Sequence, residues 1–161
     1  GYDRLVFVYN YGGNVGKIKE KLRKMDNVEL GLLAFPKYIQ KAKKLTKNVL
    51  VQSSKDNRFV FEKNKKLILF GLEDTGKKEY MHHRASSLNH ILCKFAKENG
   101  ICVAFSFNLL LKAEPKERAL LIGRMKQNIK LCRKYDVRYF VSSFANDPME
   151  MRDHKDLESF Q

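Results

Sequence analysis

The sequence predicts an α/β protein built as a parallel sheet covered by helices. Three observations carry this. Short apolar runs alternate with longer segments whose apolar residues recur every three or four positions, the patterns of buried strands and amphipathic helices. The strand candidates are almost unbroken in Val, Leu, Ile and Phe, as expected when both faces of a strand are covered. No stretch rich in Pro, Gly and Ser divides the 161 residues, so we expect one domain over 1–161.

The elements follow in order. Residues 5–9 read as a strand and 15–24 as a helix. Residues 28–34 are a second strand, followed by a helix over 37–46 with Pro36 suited to its first turn. A third strand covers 49–52, a helix 57–63, and a fourth strand 67–70. The segment 71–83, rich in Gly, Lys and Glu, is a loop. A helix over 86–99 ends at Gly100, a C-cap residue, and a fifth strand covers 101–107. A long helix spans 115–135, a sixth strand 139–142, and a last helix begins near His154. Six strands suit an open doubly wound sheet and fall two short of an eight-stranded (β/α) barrel, so periodicity leaves both architectures open.

In the long helix Leu121, Met125, Ile129 and Cys132 share one stripe, while Lys126, Lys130, Arg133 and Lys134 lie opposite. The basic side is either a solvated face or a stripe that follows phosphates. Arg118, in the first turn, borders the C-terminal ends of the strands, where it serves a site or pairs with a carboxylate.

The charge narrows the partners. Lys and Arg number 32 against 18 Asp and Glu, a net charge of +14. Such a field attracts polyanions. Nucleic acid is the commonest; an acidic membrane surface and a merely lysine-rich solvated surface are the alternatives. No apolar run approaches the roughly 18 residues of a membrane-spanning helix. The N-terminus leads directly into 5–9, too short for a secretory signal. We therefore expect a soluble, cytoplasmic protein without a membrane partner.

Catalytic motifs are weak. Gly12-Gly13-Asn14-Val15-Gly16-Lys17 sits between a strand and a helix, but Tyr11 and Ile18 stand where a phosphate-binding Walker loop needs Gly and Ser or Thr. It reads as a glycine-rich turn whose helix N-terminus can meet a phosphate. His82, His83, His90 and Cys93 cluster in sequence without the regular spacing of a zinc site. The remaining cysteines, Cys102 and Cys132, fall in apolar patterns and read as core. Ser53-Ser54 and Ser142-Ser143 follow strands, where serine binds phosphate or starts a turn; neither pair lies in a nucleophile elbow. Asp56, Asp74, Asp147 and Asp156 show no acid–base spacing. Basic and aromatic residues interleave at 58–61 and 138–140 without an RNP-type motif.

From His82 onward the sequence resembles ribonuclease P protein component three. The stretches are HHRASSLNHILCKFAKENGICVAFSFNLLL (82–111), ERALLIGRMKQNIKLCRKY (117–135) and VRYFVSSFANDPMEMRDHKDL (137–157). The corresponding family elements fall on Arg84, Asn89-His90, Leu109-Leu110, Glu117-Arg118-Ala119, Ser142-Ser143, Arg152 and Asp156-Leu157. His154 stands where the family often has Pro. The resemblance covers about half the chain; the first half shares only the strand–helix rhythm.

This resemblance implies a TIM-barrel-like (β/α) barrel of the polymerase-histidinol-phosphatase-related type, incomplete here at its N- and C-termini. It implies an RNA-binding subunit of ribonuclease P that assists a catalytic RNA in removing the 5′ leader of pre-tRNA. The protein would hold no catalytic residue, metal or cofactor, with Mg²⁺ on the RNA. Its partners would be ribonuclease P RNA, pre-tRNA and ribonuclease P protein component two. Arg84, His90, Arg118, Arg124, Lys134 and Arg152 are the candidate RNA contacts. Two enzymatic alternatives are a metal-dependent phosphoesterase of the related barrel class and a small-molecule β/α-barrel enzyme with a phosphate site.

Overall fold

The computed structural model describes residues 4–76, 79, 81, 82 and 84–159. His83, part of the expected histidine cluster, lies outside the described residues. Six strands form one sheet: β1 (Leu5–Asn10), β2 (Val28–Leu33), β3 (Asn48–Gln52), β4 (Ile68–Phe70), β5 (Cys102–Ser106) and β6 (Tyr139–Ser142). The helices between and after them are α1 (Val15–Leu22), α2 (Ile39–Lys43), α3 (Asn57–Lys63), α4 (His90–Asn99), α5 (Phe107–Lys112), α6 (Pro115–Lys134) and α7 (His154–Ser159).

Strand order decides the architecture. Every strand pairs in parallel with the next in sequence, from β1 through to β6. A doubly wound sheet reverses its winding at a switch point. This sheet never does, so it is wound in one direction, as in a (β/α) barrel. Among the described residues it does not close: β1 and β6 each pair on one side only. The expectation of an incomplete barrel describes it, and the doubly wound alternative falls.

The predicted stripe of α6 is its buried face: Leu121, Met125, Ile129 and Cys132 are each at most 4% exposed. It packs with Val103 and Phe105 of β5 and with Leu92, Cys93 and Ala96 of α4 in the main core. Lys126, Lys130, Arg133 and Lys134 lie outside. The 86–99 segment becomes helical only at His90, because Asn89 stays extended and accepts the N–H of Leu92 at 3.0 Å. Gly100 ends that helix at φ +62, a conformation that favours glycine. The expected helix 37–46 is shorter and starts as a 3₁₀ turn over Pro36–Tyr38 before α2. A helix absent from the sequence reading, α5, follows β5 directly; Ser106 caps it by accepting from Leu109 N–H at 3.3 Å.

The three cysteines are free thiols. Cys93 and Cys132 are buried against each other, each 0% exposed, and share a thiol hydrogen bond. The Cys132 thiol is pushed up by that bond to Cys93 and by burial. Burial also pushes Cys102 up, to about 11. No helix among the described residues is long and apolar enough to cross a membrane.

Candidate nucleic-acid interface

Between β4 and α4, the described residues are tied to one another and to α6 by polar bonds. Ser87 N–H donates to Leu72 carbonyl at 2.9 Å, and Ser86 Oγ donates to Asn128 Oδ1 at 2.5 Å. Arg84 is held at both backbone atoms: its N–H donates to Gln127 Oε1 at 2.9 Å, and Gln127 Nε2 donates to its carbonyl at 3.2 Å. The Arg84 guanidinium lies across Gly123 of α6. A Cβ at 123 would stand 2.9 Å from Nε and 3.1 Å from Cζ, so the absence of a side chain makes room for the arginine.

Glu79 joins this arginine to a second one. Its Oε2 lies 3.7 Å from Arg84 Nη1, and its Oε1 accepts from Arg124 Nε at 2.6 Å. Arg124 also donates to Glu73 carbonyl at 3.2 Å and is only 5% exposed. Its expected role as an RNA contact is therefore corrected: the guanidinium faces inward and braces Glu79 and the loop. Arg84 keeps 49% of its side chain exposed and presents positive charge outward.

Beneath this pair lies Glu73, 0% exposed, and among the described residues neither of its carboxylate oxygens is hydrogen-bonded. Burial pushes its pKa up to about 7. The backbone amides of Glu73 and Ser106 draw it down without completing hydrogen bonds, and Asp74 adds a further upward push. Asn108 Oδ1 and Asn128 Nδ2 are likewise buried without partners.

The other expected contacts are scattered. Among the described residues Arg118 pairs with no carboxylate. Its Nε donates to Leu110 carbonyl and its Nη2 to Ala113 carbonyl, both at 2.8 Å, capping the end of α5. Arg152 donates through Nη1 to the carbonyls of Met149 and Met151, and its N–H donates to Ser143 Oγ at 3.0 Å. Glu150 ties that turn to α5, accepting from Asn108 Nδ2 and Lys112 Nζ, both at 2.9 Å. Lys112, the amide of Asn146 and Asn108 hold the Glu150 carboxyl below its usual range. His90 is exposed at the first position of α4. Lys134 stands at the far end of α6, about 24 Å along the helix from Arg118 at 1.5 Å per residue.

The first serine pair shapes the start of α3: Asn57 accepts from Ser54 N–H at 2.8 Å and donates to Ser53 Oγ at 2.9 Å. Among the described residues no group of three or more His, Cys, Asp or Glu is placed to hold a metal ion, so the ligand set that a phosphoesterase of this barrel class requires is not assembled there.

Sequence reasoning missed Glu79, Gly123 and Gln127. Gln127 lies four residues after Gly123, on the same helix face. That spacing was the one available signal.

The RNase P subunit p30 family model matches residues 78–161, just over half of the chain and the stretch containing the Arg84–Glu79–Arg124 cluster. The chain belongs to this family. Ribonuclease P protein component 3 of Thermococcus gammatolerans is 37% identical over 84 residues, covering 52% of this chain and 36% of that protein. Its counterpart in Methanococcus maripaludis is 32% identical over 106 residues, covering 66% of this chain and 43% of that protein. The chain thus spans less than half of the length of these p30-family relatives. A chain in the cryo-EM structure of archaeal ribonuclease P with mature tRNA superposes with a TM-score of 0.80 at 21% identity, covering 99% of this chain and 72% of that one. At that identity it establishes a shared fold, and the shared fold takes in the first half of the chain as well as the second.

Proposed function

We propose that this chain is an RNA-binding protein subunit of ribonuclease P, assisting the catalytic RNA in removing the 5′ leader of pre-tRNA in the cytoplasm. Membership of the RNase P subunit p30 family carries the reading. The net charge of +14 supports it, since lowering phosphate repulsion is the physical task of such a subunit.

In this reading the protein supplies electrostatics and shape. Arg84, fixed by Gln127 and Gly123, reaches a phosphate with its orientation already set, so little side-chain entropy is lost on contact. Arg118 spends Nε and Nη2 on carbonyls and keeps its other terminal nitrogen for RNA. Arg152, His90 and Lys134 add charge at separate points. Arg124 acts through Glu79 and is a positioning residue. Mg²⁺ belongs to the RNA, where cleavage occurs, and protein component two is the protein partner.

Reconstitution tests the proposal. Pre-tRNA cleavage by ribonuclease P RNA at moderate magnesium is measured with and without this chain, and with component two added. Cleavage stimulated only when the RNA is present is the expected result. No stimulation together with no salt-dependent RNA binding overturns the reading. Stoichiometric metal with phosphate-ester turnover by the protein alone would replace it with the phosphoesterase.

A further inference from the structure

The densest cationic surface of the first half lies at the opposite end of the sheet from Arg84. There the chain returns from helix to strand through 19–29, 40–48 and 61–67, which together hold eleven Lys and Arg against four Asp and Glu. The connections at the other end of the same strands, 10–14, 34–38 and 52–56, hold two against one.

Hydrogen bonds join the three returns to one another as one rim, and the last of them to the end of α4. Lys19 Nζ donates to Leu45 carbonyl at 3.1 Å, Lys43 Nζ to the carbonyl of Lys65, and Asn99 Nδ2 to Phe61 carbonyl at 2.8 Å. Two of the four carboxylates are already engaged: Glu29 with Lys47 at 3.0 Å, and Glu62 with Lys63 at 3.3 Å. Arg23, Lys24, Lys41, Lys44, Lys65 and Lys66 are exposed, and among the described residues none of them pairs with a carboxylate.

Helix C-termini attract cations, which explains Lys41 and Lys43 in the last turn of α2. It does not explain Lys24, Lys65 and Lys66, which lie beyond the helices. Lys66 even occupies a left-handed backbone conformation, φ +47, where glycine or asparagine would be less strained.

We propose that this rim is a second RNA-binding surface, which follows a phosphodiester backbone without reading sequence. The inference rests on the RNA-binding reading above and places a contact in the half of the chain that the family model does not cover. A protein partner fits less well, because a protein interface needs an apolar centre. On these three segments the only exposed large apolar side chains are Met25 and Leu45. Cations presented by successive β-α units instead suit a partner with regularly repeated charge.

The test is binding of ribonuclease P RNA between 50 and 200 mM salt by three forms of the full chain: wild type, the quadruple variant K41Q/K44Q/K65Q/K66Q, and Arg84→Gln. Each neutralised phosphate contributes about 0.7–0.9 to the slope of log affinity against log salt, so the quadruple variant should lose up to about 3. The matching Lys→Arg quadruple should retain the wild-type slope, which separates charge loss from misfolding. An unchanged slope in the Lys→Gln variant overturns the rim and leaves the RNA-binding reading standing. Absence of salt-dependent binding by wild type overturns both. Equal affinity of the rim for polyglutamate, lost in the same variant, assigns it to acidic protein and overturns the RNA assignment.

Discussion

Strands β1 and β5 occupy one sheet and read alike, LVFVYN and CVAFS, yet their surroundings differ. Val103, Ala104 and Phe105 of β5 are each 0% exposed, covered on both faces. In β1, Val6, Phe7, Val8 and Tyr9 alternate between faces and are all exposed, from 37% to 46%. The contrast extends to the regions around them. The second half contains most of the main core, which also takes in Val51, Val60, Phe61, Leu67, Leu69 and Leu72, together with the buried arginine and the segment matched by the family; the first half also contains a small apolar cluster around Leu32 and Val49 and the cationic rim. The lesson is that equal hydrophobicity does not mean equal constraint. Substitutions in the second half disturb many packed neighbours, whereas the outer strand is held chiefly by its ladder to β2.

That difference can be tested by where stability is lost. The largest effect is expected at Arg124→Met, which leaves Glu79 without its short partner and Glu73 carbonyl without a donor. Breaking a buried pair on one side typically costs about 3–5 kcal/mol. Urea unfolding measures it, and a loss under about 1 kcal/mol would mean that the cluster does not hold the second half together.

Glu73 comes next. Its folded pKa of about 7 exceeds the ordinary carboxyl value of 4.5, so the folded state holds a proton that the unfolded state has released. Its contribution is therefore fully present below about pH 4.5 and is lost as pH rises through about 7. The shift corresponds to about 3 kcal/mol. Glu73→Gln should flatten the stability profile between pH 5 and 8, and an unchanged profile would show the carboxyl to be solvated.

Phe7→Ser probes the other side of the comparison. It should cost about 1 kcal/mol or less, because nearly half of the side chain is already in water. Amide exchange of β1 should be correspondingly faster than that of β5. The smallest effect is expected at Gly123→Ala. Alanine improves helix propensity by about 1 kcal/mol but displaces Arg84, so stability should hardly change while the salt slope of RNA binding falls by about 0.7–0.9.

The elements were legible where the code is local. All six strands appeared as apolar runs, and the α6 stripe could be read from its spacing alone. Helix α5 was hidden because Phe107, Leu109, Leu110 and Leu111 continue the apolar run of β5, and only the Ser106 cap divides them. Strand order was not legible either, since pairing between β-α units depends on contacts distant in sequence. The site divided in the same way. Arg84 could be selected by its resemblance and charge. The inward turn of Arg124 could not, because Glu79 sits in a polar loop with nothing to mark it as a buried partner. Gly123 looked like an ordinary helical glycine; its meaning comes from the arginine that crosses it.

The thiols give the molecule an internal reporter. Cys93 and Cys132 face each other with no exposed surface, Cys102 is half-buried, and the first half has no cysteine. A maleimide reagent will therefore modify Cys93 and Cys132 only when α4 and α6 separate. The labelling rate of these two thiols, followed apart from that of Cys102, measures opening of the second half, and an excursion confined to β1 leaves it unchanged.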